Sequence, residues 1–213
     1  MMGRVRTDFD PAELSTYKFY KLLTAVIVPR PIAWVSSVSS AGVDNLAPHS
    51  FFTVACVDPP VVQFTSVGRT DSLNNVEATG EFVVNLACES LFEQVNATGT
   101  NFPAEISEFD AVGLEREPSR RVRPPRVAAS PVALECVLHA MMSFGNCTVV
   151  FGRVVHAAVD SAVLEGTHPR IEALQPLSRL GRNEWGTAGR IRDITRIGYD
   201  NWPGHYGETT VPP

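Results

Sequence analysis

Four consecutive residues, Arg69, Thr70, Asp71 and Ser72, combine the side chains and the position that suit an anion site. They stand at the start of a predicted helix, where free N–H groups and the helix dipole favour negative charge. Arg69 adds a cation and the two hydroxyls add donors, while Asp71 serves as the N-cap. Alternatively, the polar residues only cap the helix and Arg69 is a solvated side chain. The segment therefore predicts either a phosphate corner or an ordinary helix start.

Other familiar sites lack their signals. No glycines fall into the GxGxxG or GxxxxGK spacing, no GxSxG is present, and the five histidines never form HxxxH. The four cysteines form no CxxC pair. Cys136 and His139 lie three apart in a predicted strand, so their side chains should point to opposite faces. We expect no metal site.

Composition narrows the class of protein further. The chain has 213 residues, of which 44% are hydrophobic and 19% charged, and it carries a net charge of −5. This balance is typical of a globular protein and disfavours nucleic acid as a partner. The first 15 residues are charged and contain no apolar run, which predicts neither a leader nor a membrane anchor. We expect one domain over 1–213, cytoplasmic and with reduced cysteines.

Three apolar, β-rich runs predict the strands that would carry a site. They cover residues 32–37, 51–57 and 61–66. Pro59 and Pro60 cannot donate to a sheet ladder, so they belong in the turn before the third run. The close spacing of the runs favours an antiparallel meander.

Short helices and further strands follow. Leu73 and Val76 share a helical face, and Gly80 fits the C-terminal stop of that helix. Residues 81–86 alternate as a strand, and Ser90 with Glu93 predicts a capping box for a second helix that ends before Gly99.

The remainder of the chain divides into three parts. Residues 100–128 are rich in Pro, Glu and Arg, and we expect a surface excursion that reaches towards a subunit boundary. Residues 132–143 and 147–159 predict a hairpin around the turn at 144–146. The stretch after Gly186 is poorly patterned. The whole pattern predicts a mainly β protein, an antiparallel barrel with a few short peripheral helices.

An ordered set of motifs resembles the flavin reductase-like FMN-binding split-barrel family, which includes the flavoredoxins. The resemblance covers about residues 18–182 and leaves 183–213 as a C-terminal extension. The motifs are Arg30-Pro31-Ile32-Ala33-Trp34-Val35-Ser36-Ser37, Asn45-Leu46-Ala47-Pro48-His49-Ser50-Phe51-Phe52, Asp58-Pro59-Pro60, Arg69-Thr70-Asp71-Ser72, Gly80-Glu81-Phe82-Val83-Val84-Asn85, Asn96-Ala97-Thr98, Ser130-Pro131-Val132-Ala133-Leu134-Glu135-Cys136 and Arg179-Leu180-Gly181.

The resemblance implies FMN as cofactor, with an isoalloxazine ring that needs an apolar slot and a phosphate that needs donors and positive charge. It places the phosphate at the helix start described above, with Arg69 where the family often has Lys. Arg30 would lie near the N1/C2 carbonyl of the ring, although it also fits a plain surface arginine. His49 stands where relatives often have Tyr. The residues implied at the ring and the ribityl chain are Ala33, Trp34, Val35, Ser36, Ser37, Ala47, Pro48, His49 and Ser50.

A core position is the alternative interpretation of Trp34, because a lone Trp in a strand is more often buried than in contact with a cofactor.

The resemblance also implies an activity. NADH or NADPH would reduce the bound flavin, and electrons would pass to free flavin, oxygen or a partner monooxygenase. Arg179 and Arg182 could contact phosphates of the nicotinamide nucleotide, or lie in a solvated loop. The flavin itself carries the chemistry, so no catalytic side chain is required. The alternative is a flavoredoxin-like FMN electron carrier reduced by another protein, and a third possibility is a specialised oxidation or a different ligand. A homodimer is expected in each case.

Overall fold

A computed structural model describes residues 5–202. The helices are α1 (Thr16–Val26), α2 (Asp71–Thr79), α3 (Phe92–Ala97), α4 (Glu108–Ala111) and α5 (Ile171–Leu174), with 3-10 turns at Glu89–Leu91, Ser161–Val163 and Tyr199–Asn201. The strands are β1 (Arg30–Pro31), β2 (Ala33–Val38), β3 (Asp44–His49), β4 (Phe52–Cys56), β5 (Val61–Val67), β6 (Glu81–Leu86), β7 (Arg116–Glu117), β8 (Arg126–Val127), β9 (Val132–Phe144), β10 (Cys147–Val159), β11 (Leu164–Glu165), β12 (His168–Pro169), β13 (Ser178–Arg179) and β14 (Trp185–Gly186). The last eleven residues of the expected C-terminal extension, 203–213, lie outside the described residues.

One antiparallel sheet of seven strands dominates the molecule, in the order β3-β2-β6-β9-β10-β5-β4. The mainly β, antiparallel architecture with short helices is confirmed. The predicted simple meander is wrong, because β3, which the pattern missed, pairs with β2 and the run at 51–57 lies at the opposite edge. Asn45 and Pro48 hide β3 from a propensity-based prediction, and proline is tolerated there because β3 is an edge strand.

Residues 50–51 connect β3 directly to β4, although these two strands form opposite edges of the sheet. The sheet must therefore curl so that its two ends approach each other. Contacts between β3 and β5 show the approach, while no ladder within residues 5–202 joins β3 to β4 or β5. We call this unpaired junction the seam.

Several local predictions are confirmed. The strands β9 and β10 form the long hairpin, and Gly80 ends α2 in the left-handed conformation at φ 72°. Leu73 and Val76 are both buried on the inner face of α2. The capping box at Ser90 is not formed, since the helix begins at Phe92 after a 3-10 turn and Ser90 instead contacts Cys88.

The strand β2 is buried on both faces and paired on both edges. Ile32, just before it, and Trp34 pack with Leu46 and Phe109 on one side, whereas alternate residues pack into a second core cluster on the other. Side chains alternate across a strand, so a strand buried on both faces becomes a continuous apolar run. This explains why residues 32–37 were easy to recognise as a strand.

The expectation that residues 100–128 form a surface excursion holds for the exposed majority of the segment but is wrong for the residues that anchor it in the core. Phe109 and Val127 are fully buried in the cluster beside β2. Arg126 is buried and pairs with the fully buried Glu135, which also accepts the N–H groups of Arg120 and Arg121. The Pro and Arg content of the segment is typical of an exposed loop. A local pattern does not identify these anchors, because the residues that bury them lie outside the segment.

Candidate functional site

A cleft of about 330 Å³ lies at the seam. Its walls come from the end of β3, the end of β5, the start of α2 and the segment 98–102. Eight of the fourteen predicted site residues meet here, and they are Ala47, Pro48, His49, Ser50, Arg69, Thr70, Asp71 and Ser72.

The start of α2 forms one corner of the cleft. Thr70, not Asp71, is the N-cap, because its extended backbone lets Oγ1 accept the Leu73 N–H at 3.2 Å. Asp71 is the first helical residue. Helix geometry leaves the N–H groups of Asp71 and Ser72 without an acceptor inside the helix. The hydroxyl of Ser72 accepts from Asn45 Nδ2 at 3.0 Å, so its own hydrogen remains available as a donor. This corner can receive an anion.

Arg69 lies at the rim of that corner. Its guanidinium forms an ion pair with Glu77, and its side chain is 60% exposed. An exposed pair is weak, so an anionic ligand could compete for the guanidinium.

His49 lies at the inner wall of the cleft. Its ring packs 4.7 Å from that of Phe64, and its Nε2 is buried without a partner. Burial lowers the pKa of His49 to about 4, against the opposing effect of a hydrogen bond to the backbone of Thr65. The imidazole is therefore neutral near pH 7, and its buried Nε2 has no hydrogen-bond partner within the protein.

Sequence reasoning missed Glu108, a buried carboxyl in the same cleft. Its Oε2 accepts the N–H of Leu46 at 2.8 Å. Burial raises the pKa of this carboxyl, and the hydrogen bond from Leu46 opposes the rise. No local signal marks Glu108, because α4 reaches β3 only through the tertiary fold. Asn45 and Thr98 belong to the motifs that resemble the family, and no site role was predicted for them. Both nevertheless line the cleft.

Five predicted site residues do not line the cleft, and they are Ala33, Trp34, Val35, Ser36 and Ser37. All five are completely buried. Their strand pairs with β3 at all five residues and with β6 from Ala33 to Ser36, so most of the backbone groups are committed to neighbouring strands as well. These residues belong to the buried core behind the cleft.

The three polar side chains of this group bond within the protein. Trp34 Nε1 donates to Thr98 Oγ1 at 2.9 Å, Ser36 donates to the carbonyl of Pro125, and Ser37 accepts from Asn75 Nδ2 at 3.1 Å. The expectation that Ser36 and Ser37 present hydroxyls to a ligand is therefore not met, and the core interpretation of Trp34 is the correct one.

Arg30 lies on the other side of residues 50–51, in a second pocket of about 440 Å³. Its guanidinium donates to the carbonyls of Thr24, Ile27 and Leu180, with the last bond at 2.8 Å. Burial lowers its pKa from the ordinary value, but an arginine remains charged. Arg30 is thus no plain surface arginine, since it ties α1 to the C-terminal part of the fold.

Arg179 lies beside the cleft. Its guanidinium stacks 4.7 Å from the centre of the Trp185 ring and donates to the carbonyl of Arg182 at 3.1 Å. A small pocket next to Arg179 shares Pro48 and Ser50 with the cleft. Arg182 lines neither space.

Residues 5–202 contain neither a group of metal-ligating side chains nor a helix suited to span a membrane. No three His, Cys, Asp or Glu side chains are grouped closely enough for a metal ion. No helix in this range has the length and apolar character that crossing a membrane requires.

Comparison with known proteins gives the family. Residues 25–175 match the family model described as flavin reductase like domain. The crystal structure of nitrilotriacetate monooxygenase component B from Bacillus cereus is similar with a TM-score of 0.87 and 32% identity, covering 90% of this chain and 100% of that one. The 2-nitrobenzoate 2-nitroreductase NbaA of Pseudomonas fluorescens gives a TM-score of 0.85 and 31% identity over 91% and 98% of the two chains.

A third structure supports the fold alone. A Shewanella frigidimarina protein named as a flavin reductase with a split barrel domain gives a TM-score of 0.81 at 19% identity, covering 90% of this chain and 100% of that one. The curled sheet with its open seam agrees with that description. The chain therefore belongs to the flavin reductase-like family and has the split-barrel fold.

Proposed function

We propose that the cleft binds FMN and that the protein is an NAD(P)H-dependent flavin reductase. One observation carries the proposal: the free start of α2 and His49, whose Nε2 has no hydrogen-bond partner within the protein, line the same cleft at the seam. The phosphate of FMN needs the free N–H groups at the start of the helix. The ribityl chain and the flat ring of FMN can use the nitrogen of His49.

The phosphate is assigned to the corner at α2. The N–H groups of Asp71 and Ser72, the hydroxyl of Ser72 and the guanidinium of Arg69 supply donors and positive charge there. Thr70 is already occupied as the cap, so its contribution is to hold the corner open. The carboxyl of Asp71 faces the helix dipole favourably and supports the helix rather than the ligand.

The ribityl chain and the ring are assigned to the wall formed by Ala47, Pro48, His49 and Ser50. His49 contributes one neutral nitrogen. At the far end Tyr20 and Phe51 lie edge to face at 6.4 Å and give the cleft an apolar border.

Bound FMN would supply the hydride and electron chemistry, and the residues of this chain bind and orient it. Two relatives are named as a monooxygenase component and a nitroreductase, which supports an oxidoreductase role. We infer that electrons leave for free flavin, oxygen or a partner monooxygenase. No dinucleotide fingerprint is needed if nicotinamide is held against the flavin. We assign its phosphates to Arg179, which lines the small pocket that shares Pro48 and Ser50 with the cleft.

Anaerobic stopped-flow mixing tests the proposal. Protein saturated with FMN should lose its flavin absorbance when mixed with NADH or NADPH, at a rate that saturates with nucleotide concentration. Reduction by dithionite but by neither nucleotide would contradict the reductase and favour the electron carrier. Failure of FMN to bind in a fluorescence titration would overturn the site itself.

We also propose a homodimer of single-domain chains in the cytoplasm. Exposed apolar side chains support self-association, since Met142 and Phe144 at the tip of the β9–β10 hairpin lie at the same end of the sheet as the exposed Val67 of β5. Such a patch on a soluble chain marks an interaction surface. All four cysteines are unpaired, which agrees with a reducing location.

A further inference from the structure

Glu108 differs from the other residues of the cleft because half of its carboxyl is uncommitted. Its Oε2 accepts the N–H of Leu46 at 2.8 Å, whereas its Oε1 forms no hydrogen bond with another residue in the range 5–202. Unlike Nε2 of His49, this Oε1 is not sealed from solvent. The residue is only 4% exposed and lines the cleft, so its free oxygen opens onto the space that a ligand would fill.

The short helix α4 holds this carboxyl in a fixed position. The next residue, Phe109, is fully buried in the core. On the other flank, Ser107 donates to Asp44 at the start of β3. Arg116 binds both Asp44, with Nε 2.5 Å from Oδ2, and Asp110, with Nη1 2.8 Å from Oδ1. The carboxyl is therefore preorganised by its neighbours, as ligand recognition requires.

The carboxyl of Glu108 has no counter-charge in the described part of the chain. Arg116 is committed to two other carboxylates, and Arg69 at the rim is committed to Glu77. Burial raises the pKa of Glu108, and the nearby charge of Asp71 adds to the rise. Burying a carboxyl without a counter-charge costs free energy of folding, so its presence in a cleft indicates a role in binding rather than in stability.

The carboxyl lies beside the proposed phosphate corner. Two consecutive residues of β3 connect them: Asn45 Nδ2 donates to Ser72 Oγ at the start of α2, and the Leu46 N–H donates to Glu108. A phosphate is a poor partner for an ionised carboxyl, because both are negative and both accept. A hydroxyl suits Oε1 in either protonation state, because it donates and accepts. In FMN, the hydroxyls next to the phosphate belong to the ribityl chain.

We propose that Glu108 is a specificity-determining residue of the cleft, whose Oε1 binds a ribityl hydroxyl close to the phosphate and so selects a flavin with a polyhydroxylated chain. This assignment rests on the proposed binding of FMN. It divides recognition among three parts of the fold: the start of α2 for the phosphate, the carboxyl on α4 for the hydroxyls, and the wall of β3 for the ring. Repulsion from the carboxyl also disfavours a phosphate that brings no hydroxyl to offset it.

The test compares FMN with an analogue in which a plain pentyl chain joins the ring to the phosphate, so that only the hydroxyls are missing. Fluorescence titration gives the Kd of both ligands for the wild type and for Glu108→Gln. The charge of Glu108 acts on the phosphate of both ligands alike and cancels in the ratio of the two Kd values. The wild type should prefer FMN, and Glu108→Gln should reduce that preference by about tenfold, the worth of one good hydrogen bond.

A matched variant separates this contact from general effects on α4. Asp110→Asn removes a carboxylate from the same helix, but Asp110 does not line the cleft and its side chain is 72% exposed. It should keep the wild-type preference for FMN. An unchanged preference in Glu108→Gln would overturn the proposal, and so would an equal loss in the two variants. If the wild type does not bind FMN, the proposed function itself fails, and the wild-type titration alone shows this.

Discussion

Arg69, two residues before α2, reaches forward along the helix to form an ion pair with Glu77. The cation nearest the proposed phosphate corner is therefore already neutralised by a carboxylate. A phosphate must displace Glu77 or share the guanidinium with it, so the contribution of Arg69 to binding is smaller than that of a free arginine.

The first prediction concerns this pair. Arg69→Ala should weaken FMN by about threefold to tenfold, because an exposed charge contributes modestly. Glu77→Gln should strengthen FMN by about twofold, since it frees the guanidinium. Fluorescence titrations measure both variants, with riboflavin as the control ligand because it lacks the phosphate. Equal effects on FMN and riboflavin would show that Arg69 acts through the fold or the ring.

His49 should make stability depend on pH. Its folded pKa of about 4 lies below the ordinary 6.5, so the unfolded chain takes up the proton first as pH falls. The contribution of neutral His49 to the free energy of unfolding should therefore be complete above about pH 6.5. It should decrease as the pH falls towards 4, by at most about 3 kcal/mol. Urea unfolding followed by circular dichroism measures this slope.

Two substitutions test whether His49 causes this pH dependence of the unfolding free energy. His49→Phe preserves the packing against Phe64 and should flatten the dependence between pH 4 and 6.5. His139 is exposed, so His139→Asn should keep the wild-type slope. A wild-type slope in His49→Phe would mean that another group is responsible.

The buried pair of Glu135 and Arg126 should matter for stability alone. Glu135→Gln leaves the buried guanidinium of Arg126 with only the half-exposed Glu117 as a counter-charge, which should cost about 3 kcal/mol of unfolding free energy. The pair of Glu81 and Arg123 is more exposed, so Glu81→Gln should cost less than about 1 kcal/mol. Urea midpoints compare the two, and similar losses would contradict the ranking.

The exposed patch predicts the assembly. Wild-type protein should have the mass of a dimer by light scattering, and Phe144→Asp, at the tip of the hairpin, should shift it to monomer. Ile194→Asp places the same charge at an exposed apolar residue that is not one of the patch residues and should leave the dimer intact. A monomeric wild type would overturn the prediction.

Local signals predicted the elements that local interactions define. Gly80 ended α2 and the hairpin of β9 and β10 formed, because each depends on neighbouring residues. The start of α2 was recognisable as a candidate anion site for the same reason, although the cap proved to be Thr70. The strand β3 was missed, since only its pairing with β2 makes Asn45 and Pro48 part of a sheet.

The rest of the site depended on packing that a single sequence does not contain. Trp34 and Ser36 have residue types suited to a ligand, but tertiary partners enclose them completely. Glu108 lies 62 positions from the residue whose N–H it accepts. Such contacts depend on how the sheet curls. The spacing of apolar residues along the sequence does not indicate this curvature.

The contact between Glu108 and Leu46 also protects the protein against aggregation with other copies of the chain. Strand β3 is an edge of the sheet, and an edge with free N–H groups is a template on which another chain can add a strand. The carboxyl of Glu108 occupies the outward N–H of Leu46 at mid-strand and places an acidic side chain at that edge. Through Glu108, α4 thus guards β3 against edge-to-edge aggregation, at the same border where the cleft must stay open to its ligand.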